Sequence, residues 1–531
     1  MKKYTRKNRG WFMAAWICIL ASNFFAVILQ FFKGDVLDFA IQGATKETIK
    51  YAILLISFIL CEIFFYYGYN IFQARYIVGC TKNLKQDIFQ SILKRSYIVY
   101  KEKQTGEYIA KYTNEVDTIK ARYYSMLTMF WNILLKIVFV SIALFALDWK
   151  IAVVTIILLT MPLYVPKIIE RRLQQTQTEY LQAVEENLAK VNDWLAGIEI
   201  IKNFSVENKI LDMFNQSNDK MMGKMLKDRN LSAVSGLVTT LISYLSYFIV
   251  LICATYLVLT GEFSAGDFFV AIGMIDQLSY PLISLAEVIR QLIAIKPACD
   301  EMNRFLAVSA EDHSVNSLQE LHSDIKFNNI SFSYDDQNPI LQNFSLTIRK
   351  GKRYLLKGPS GCGKTTIVNL LLRYYDVKNG EVLIDGETIE DFDSTYDCVT
   401  VVRQEAVLFH DTLKNNLTMY QDIADKKLIK LLCDLGLNKY ANIESLYSVV
   451  TENGTNFSGG EKKRICLARA LLRNTDVLIL DEPLANLDEN TAAKIEDILL
   501  KISDRTVVVV SHQFSEEKVG EFYQVVDFAS N

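Results

Sequence analysis

No two of the nine cysteines stand at CxxC spacing: Cys18, Cys61, Cys80, Cys253, Cys299, Cys362, Cys398, Cys433 and Cys466 are scattered through the 531 residues. That argues against a zinc site and against a disulfide framework, and leaves reduced thiols. Strong charge is missing as well. The formal net charge is −3, and no basic run is long enough to follow a phosphate backbone, so nucleic acid is not expected as a partner. A signal-peptide cleavage site is also absent. MKKYTRKNRGWFMAAWICIL places a basic stretch before an apolar one, but the apolar run continues to Phe31-Phe32 without a small-residue site. At about 22 residues it is long enough to span a bilayer and reads as a retained first membrane helix.

Hydrophobicity is abundant but uneven. It dominates up to about residue 300, and after about residue 320 the chain reads as an ordinary soluble sequence. Hydropathy marks six candidate spans, about 11–32, 51–73, 125–147, 150–167, 231–259 and 266–290. Lys2, Lys3, Arg6, Lys7 and Arg9 precede the first span, and Lys82, Lys85, Lys94, Arg95, Lys101 and Lys103 lie between the second and third. The positive-inside rule then puts both termini in the cytoplasm. Outward connectors are short, such as Asp148-Trp149-Lys150 and Gly261-Glu262-Phe263-Ser264. Inward ones are long and helical in pattern. Leu84, Ile88, Ile92 and Leu93 recur at helical spacing, and TQTEYLQAVEENLAKVNDW has almost no helix breaker. Such helices should project well beyond the bilayer, with tips able to dock on a cytoplasmic domain.

Glu62, Lys136 and Asp276 lie inside spans. An intramembrane charge is a candidate substrate-cavity residue; a structural ion pair between Glu62 and Lys136 is the competing reading.

From about residue 325 short apolar strands alternate with helical segments: IKFNNISFSYD, FSLTIRKG, RYLLKG, VTVVRQE, DVLILDEP and TVVVVSH. That is an α/β domain with a largely parallel core. RYLLKG runs into GPSGCGKTT, covering Gly358, Pro359, Ser360, Gly361, Cys362, Gly363, Lys364, Thr365 and Thr366, and then into an apolar helix. Glycines let backbone N–H groups turn inward around phosphates while the helix N-terminus faces them. Lys364 neutralises the β- and γ-phosphates, and the Thr365 hydroxyl reaches Mg²⁺. Asp481 and Glu482 close the strand DVLILDEP. Asp481 can hold Mg²⁺ through water, and Glu482 is placed to polarise the attacking water. His512 ends TVVVVSH at the same sheet edge, where a γ-phosphate contact is expected.

In order, these motifs resemble those of the ATP-binding cassette transporters, specifically exporter-type half-transporters, and the resemblance covers essentially the whole chain. Gln404 in VVRQEAVLF resembles the Q-loop, a water- and metal-positioning residue. Ser458-Gly459-Gly460 resembles the signature, Asp481-Glu482 Walker B, Ala485-Asn486-Leu487-Asp488 the D-loop, and His512 the H-switch. Tyr334 in ISFSYDD resembles the aromatic that stacks on adenine. Gly106 with its surroundings and WLAGIEIIKNFSVEN resemble the segments that couple the two domains. The implied architecture is multi-domain: an all-α six-helix transmembrane domain over residues 1–310 with long cytoplasmic extensions, a linker at 311–324, and an α/β P-loop NTPase domain over 325–531.

The resemblance further implies ATP and Mg²⁺ as cofactors and a second half-transporter, a copy or a related chain, as partner. Two nucleotide-binding domains would dock head to tail, so that Ser458 touches the partner's ATP. The expected setting is a bacterial plasma membrane, and the expected cargo an amphipathic small peptide, drug-like compound or lipid. Uptake by an exporter-type fold and an ATP-switched regulator without transport are the alternatives. Phe457 and Glu461 replace the family's usual Leu and Gln around the signature, and Glu461 is expected to bring negative charge near the partner's nucleotide. A leader-trimming protease domain before the first span is not seen, so an exported peptide would arrive already processed.

Overall fold

A bilayer offers no water to backbone N–H and C=O groups, so apolar segments of spanning length satisfy them internally, as helices. The computed structural model describes residues 1–528 apart from 96, 162–163, 165–167, 169, 308–316, 335–338, 360, 393 and 486. Ser360, Asn486, part of the fourth candidate span and much of the expected linker therefore lie outside the described residues. The helices used below are α1 (Arg9–Ile41), α2 (Thr45–Leu93), α3 (Tyr97–Lys101), α4 (Thr105–Leu147), α5 (Trp149–Thr160), α6 (Glu170–Ala196), α7 (Glu207–Leu259) and α8 (Ala265–Ala294). Several run far past their apolar segments. At 1.5 Å per residue α2 is about 70 Å long, more than twice a hydrocarbon core.

Contacts divide the chain into two units, Met1–Ser91 with Thr105–Val308, and Ile92–Gln104 with Ser309–Asn531. In the first, Val140, Leu144, Ile151, Ala254, Ala271 and Met274 form a buried helical core. Small residues let α1 and α8 approach closely: a Cβ added to Gly34 would fall 2.8 Å from the Gly266 carbonyl oxygen. Beside that crossing the Asp38 carboxylate accepts from the Ser264 hydroxyl at 2.6 Å and the Gly266 N–H at 2.7 Å.

The second unit has two sheets. β1 (Asp324–Phe332), β2 (Leu341–Arg349), β4 (Asn379–Ile384) and β5 (Glu387–Thr388) form an antiparallel sheet in the order β2-β1-β4-β5. β3 (Arg353–Lys357), β6 (Val399–Val402), β7 (Val477–Asp481), β8 (Thr506–Val510) and β9 (Gln524–Asp527) form a parallel one in the order β6-β7-β8-β3-β9. Alternation along the strands splits the core in two. Tyr354, Leu356, Ile479 and Val508 face the side covered by α9 (Lys364–Leu371). Leu355, Leu478, Leu480 and Val509 face the side covered by α10 (Gly459–Leu472) and α11 (Glu489–Lys501).

Candidate active site

Ligands of open α/β sheets bind beyond the C-terminal ends of the strands, and here β3, β7 and β8 end in Lys357, Asp481 and Val510. From β3 the chain enters the glycine loop. Gly358, Gly361 and Gly363 have φ of 154°, 85° and 101°. A Cβ on Gly363 would lie 2.8 Å from Leu341 Cδ2, so both backbone angle and packing require glycine there. α9 follows at once, its first turn aimed back at the loop. Lys364 is buried, and its ammonium donates to the carbonyls of Gly358 and Pro359, each at 2.7 Å. Cys362 Sγ is 3.6 Å from the same nitrogen. Cradle, helix N-terminus and lysine fit a polyphosphate.

Thr365 and Asp481 meet, the hydroxyl lying 3.2 Å from Asp481 Oδ2. Their two hard oxygens suit Mg²⁺, which takes few protein ligands and completes its octahedron with water and phosphate. Among the described residues no cluster of three His, Cys, Asp or Glu offers an all-protein metal cage. Gln404, just after β6, is exposed, and among the described residues no hydrogen bond joins it to this pair. Burial pushes the Asp481 carboxyl above the usual carboxylate range, against the Thr365 hydroxyl and the charge of Arg403. An ionised Asp481 therefore costs stability at neutral pH, a cost that fades as pH falls through its raised pKa. Asp481→Asn is expected to raise the melting point of the nucleotide-free protein at pH 7. It should also weaken Mg²⁺-dependent ATP binding. Melting curves at pH 7 and pH 5 check the sign, since the gain should shrink in acid.

Glu482 has a left-handed backbone, φ 51°, held by its N–H bond to the Val510 carbonyl at 2.8 Å. That conformation is costly for a non-glycine residue and aims the side chain out of the strand's regular alternation. Its Oε1 lies 2.8 Å from His512 Nδ1, while Oε2 is buried and has no hydrogen-bond partner among the described residues. His512, anticipated as a phosphate contact, is thus held by the carboxylate beside it.

Ser458 caps α10. Its hydroxyl accepts from the Glu461 N–H at 3.2 Å, and Glu461 Oε2 accepts from the Ser458 N–H at 2.8 Å. This is a capping box. Burial works against ionisation of Glu461, but bonds to Ser458 and Tyr440 hold its carboxyl below the usual range. Its charge is engaged with its own helix start. Phe457 is buried against Tyr440, ring centroids 4.8 Å apart, while Ser458 and Gly459 remain exposed. Ser458 belongs to the opposite sheet face from α9, and among the described residues it makes no hydrogen bond to the glycine loop.

Tyr334 is half-exposed, edge-on to Tyr375 at 4.9 Å, with its hydroxyl 3.2 Å from Thr366 Oγ1. Asp488 caps α11 by accepting from the Thr491 N–H at 3.0 Å. Glu62 on α2 and Lys136 on α4 are near enough to interact electrostatically, whereas Asp276 on α8 acts on Tyr247.

Two residues carry more of the site than their sequence announced. Lys463 Nζ donates to the Ala485 carbonyl at 3.0 Å and lies in the field of Glu482 and Asp481. Burial pushes it below the usual lysine range. Arg403, beside Gln404, donates to Asn369 Oδ1 at 2.9 Å. One cue was available: both adjoin recognisable motifs.

Comparison with known proteins finds matches for both parts of the chain. Residues 12–282 match the family described as ABC transporter transmembrane region, and residues 341–485 match ABC transporter. An ATP-dependent lipid A-core flippase of Syntrophus aciditrophicus is 28% identical over 97% of this chain and 87% of its own. A putative multidrug export ATP-binding/permease protein, YgaD of Bacillus subtilis, is 29% identical over 92% of this chain and 87% of its own. The structure of a bacterial Atm1-family ABC exporter with ATP bound superposes with a TM-score of 0.80 at 22% identity, covering 98% of this chain and 93% of that one.

Proposed function

Since the chain belongs to the ATP-binding cassette transporters, as an integral membrane, ATP-hydrolysing member with the exporter fold, we propose that it works as a dimer of half-transporters exporting an amphipathic substrate. The membrane domain would run to about residue 310 and the nucleotide-binding domain from about 325, with both termini cytoplasmic. The observation that carries the dimer is the placement of the two anion-binding helix starts. α9 and α10 cover opposite faces of one sheet, each across its own layer of buried side chains. Lys364 and Ser458 of one chain are therefore poorly placed to serve one nucleotide. Head-to-tail pairing supplies each P-loop with the exposed Ser458-Gly459 of the other chain. Exposed Ile198, Ile200 and Phe204, at the tip between α6 and α7, fit a docking role on that partner.

In this reading Lys364 and the loop N–H groups hold the β- and γ-phosphates, and Tyr334 lies against adenine. Thr365 and Asp481 would hold Mg²⁺, with Gln404 as a further candidate ligand, and the ion would supply positive charge to screen the phosphates. Glu482 Oε2 accepts the proton of the attacking water while His512 fixes Oε1, leaving His512 Nε2 for the γ-phosphate. Closed domains bind ATP better than open ones, and that difference drives the change of access. A lipid, drug-like compound or small peptide suits a cavity bearing Glu62, Lys136 and Asp276, and amphipathic cargo agrees with the names of the relatives.

The test is Ser458→Arg in the purified chain, alongside its mass in nanodiscs. Turnover should be lost, trinitrophenyl-ATP should still bind, and the wild type should run as a dimer. A wild-type monomer with full turnover, or an active Ser458→Arg protein, sinks the pairing.

A further inference from the structure

Four side chains in the second unit are linked by successive ring contacts. Lys101 Nζ lies 5.6 Å from the Tyr97 ring centroid, Tyr97 stacks on Tyr374 at 4.0 Å and 27°, and Arg403 Cζ lies 5.3 Å from the Tyr374 centroid. Each of two stacked rings thus has a cation within about 6 Å of its centroid, close enough for attraction to its π-system. Tyr97 and Lys101 lie on α3, in the segment Ile92–Gln104 that joins the first unit's α2 to α4 yet packs with the second unit. From Arg403 the chain of contacts continues by hydrogen bonds. Arg403 donates to Asn369 Oδ1 at 2.9 Å, Asn369 Nδ2 donates to the Tyr334 hydroxyl at 3.2 Å, and that hydroxyl lies 3.2 Å from Thr366 Oγ1.

We propose that Arg403 is a positioning residue that sets the orientation of Tyr334 through Asn369, so that the seating of α3 biases affinity for the adenine of ATP. The geometry supports a role for arginine in particular. Its delocalised guanidinium lies 5.3 Å from the Tyr374 ring centroid while one of its N–H groups bonds Asn369, two contacts that one planar fork can make at once. Asn369 has one amide, and with its oxygen held by Arg403 its nitrogen is turned to Tyr334. Losing the arginine frees the amide to rotate and releases the ring. Because Tyr334 meets the base and the loop meets the phosphates, the effect is confined to ligands that carry a base.

The inference rests on Tyr334 being the adenine contact, and the test separates the two. In the full chain in nanodiscs, ATP and inorganic tripolyphosphate are each used to displace trinitrophenyl-ATP with Mg²⁺ present. Arg403→Gln should raise the Kd for ATP by roughly 3- to 10-fold, part of the value of one base–aromatic stack, and leave tripolyphosphate unchanged. Arg403→Lys, which keeps a donor and a cation over the ring, should recover most of that loss. Tyr97→Ala, which touches neither nucleotide nor Asn369, should weaken ATP selectively by roughly 2- to 3-fold, the scale of a cation–π and stacking contact. Equal weakening of both ligands by Arg403→Gln means that it acts through Asp481 or the fold, and overturns the proposal. So does no change in either. Tyr334→Ala is the control. If it weakens ATP selectively and Arg403→Gln does not, only the relay falls; if it leaves ATP affinity unchanged, the adenine contact falls and the relay with it.

Discussion

Glu482→Gln is expected to lower ATP turnover by roughly 10²- to 10⁴-fold, the usual contribution of a positioned general base, with ATP still bound. Gln keeps the volume and one oxygen, so the left-handed backbone and the Val510 bond should survive. What disappears is the basicity of a buried oxygen, Oε2, that no protein group engages among the described residues. In free energy the loss is about 3–5 kcal/mol of barrier, at 1.36 kcal/mol per tenfold. Single-turnover hydrolysis and trinitrophenyl-ATP binding, measured on one preparation, separate chemistry from binding. A variant that still turns over at a tenth of the wild-type rate would mean that another group takes the proton, and His512, 2.8 Å from Oε1, is the next to alter.

Lys364→Ala acts on the other term. Its ammonium is buried between loop carbonyls at 2.7 Å, already desolvated and carried on a helix that points at the phosphates. Removing one partner of such a charge pair typically costs 2–5 kcal/mol, so the Kd for ATP should rise on the order of 10²-fold or more. Alanine leaves the helix intact, and its interior propensity is favourable. The melting point of the nucleotide-free chain should therefore move little, while stabilisation by ATP disappears. A variant that ATP still stabilises as strongly as the wild type would show that the loop N–H groups alone hold the phosphates.

Legibility in the sequence divided along the chain's own physics. The glycine loop, Asp481-Glu482 and His512 are local motifs of distinctive residue types beside strand ends, so short stretches carried them, and the parallel strands followed from apolar runs between turns. The apolar segments marked where helices cross. Their ends were harder to read, because polar extensions such as those of α2 and α7 continue the same hydrogen-bonded ladder without a break. Ser458-Gly459-Gly460-Glu461 carries the Ser-x-x-Glu pattern of a capping box, and in the fold the Glu461 carboxylate turns back onto its own helix start. Arg403, Tyr97 and the stretch holding Asn369 and Tyr374 are three separate segments with no common period, and only folding brings them into contact. Likewise the electrostatic proximity of Glu62 and Lys136 was legible from matched depth, but the influence of Asp276 on Tyr247 was not.

The placement of α9 and α10 on opposite faces of one sheet has a consequence for inheritance. In the proposed pair each nucleotide takes its P-loop from one chain and its signature from the other, so lesions segregate by site and not by polypeptide. A Lys364→Ala allele and a Ser458→Arg allele are each null alone. Expressed together, the mixed pair gathers both lesions into one composite site and assembles the other from two unaltered halves. An allele damaged on the P-loop side and one damaged in the signature complement each other, two alleles damaged on the same side, such as Lys364→Ala and Glu482→Gln, do not, and a cross between them maps the architecture without any structure at all.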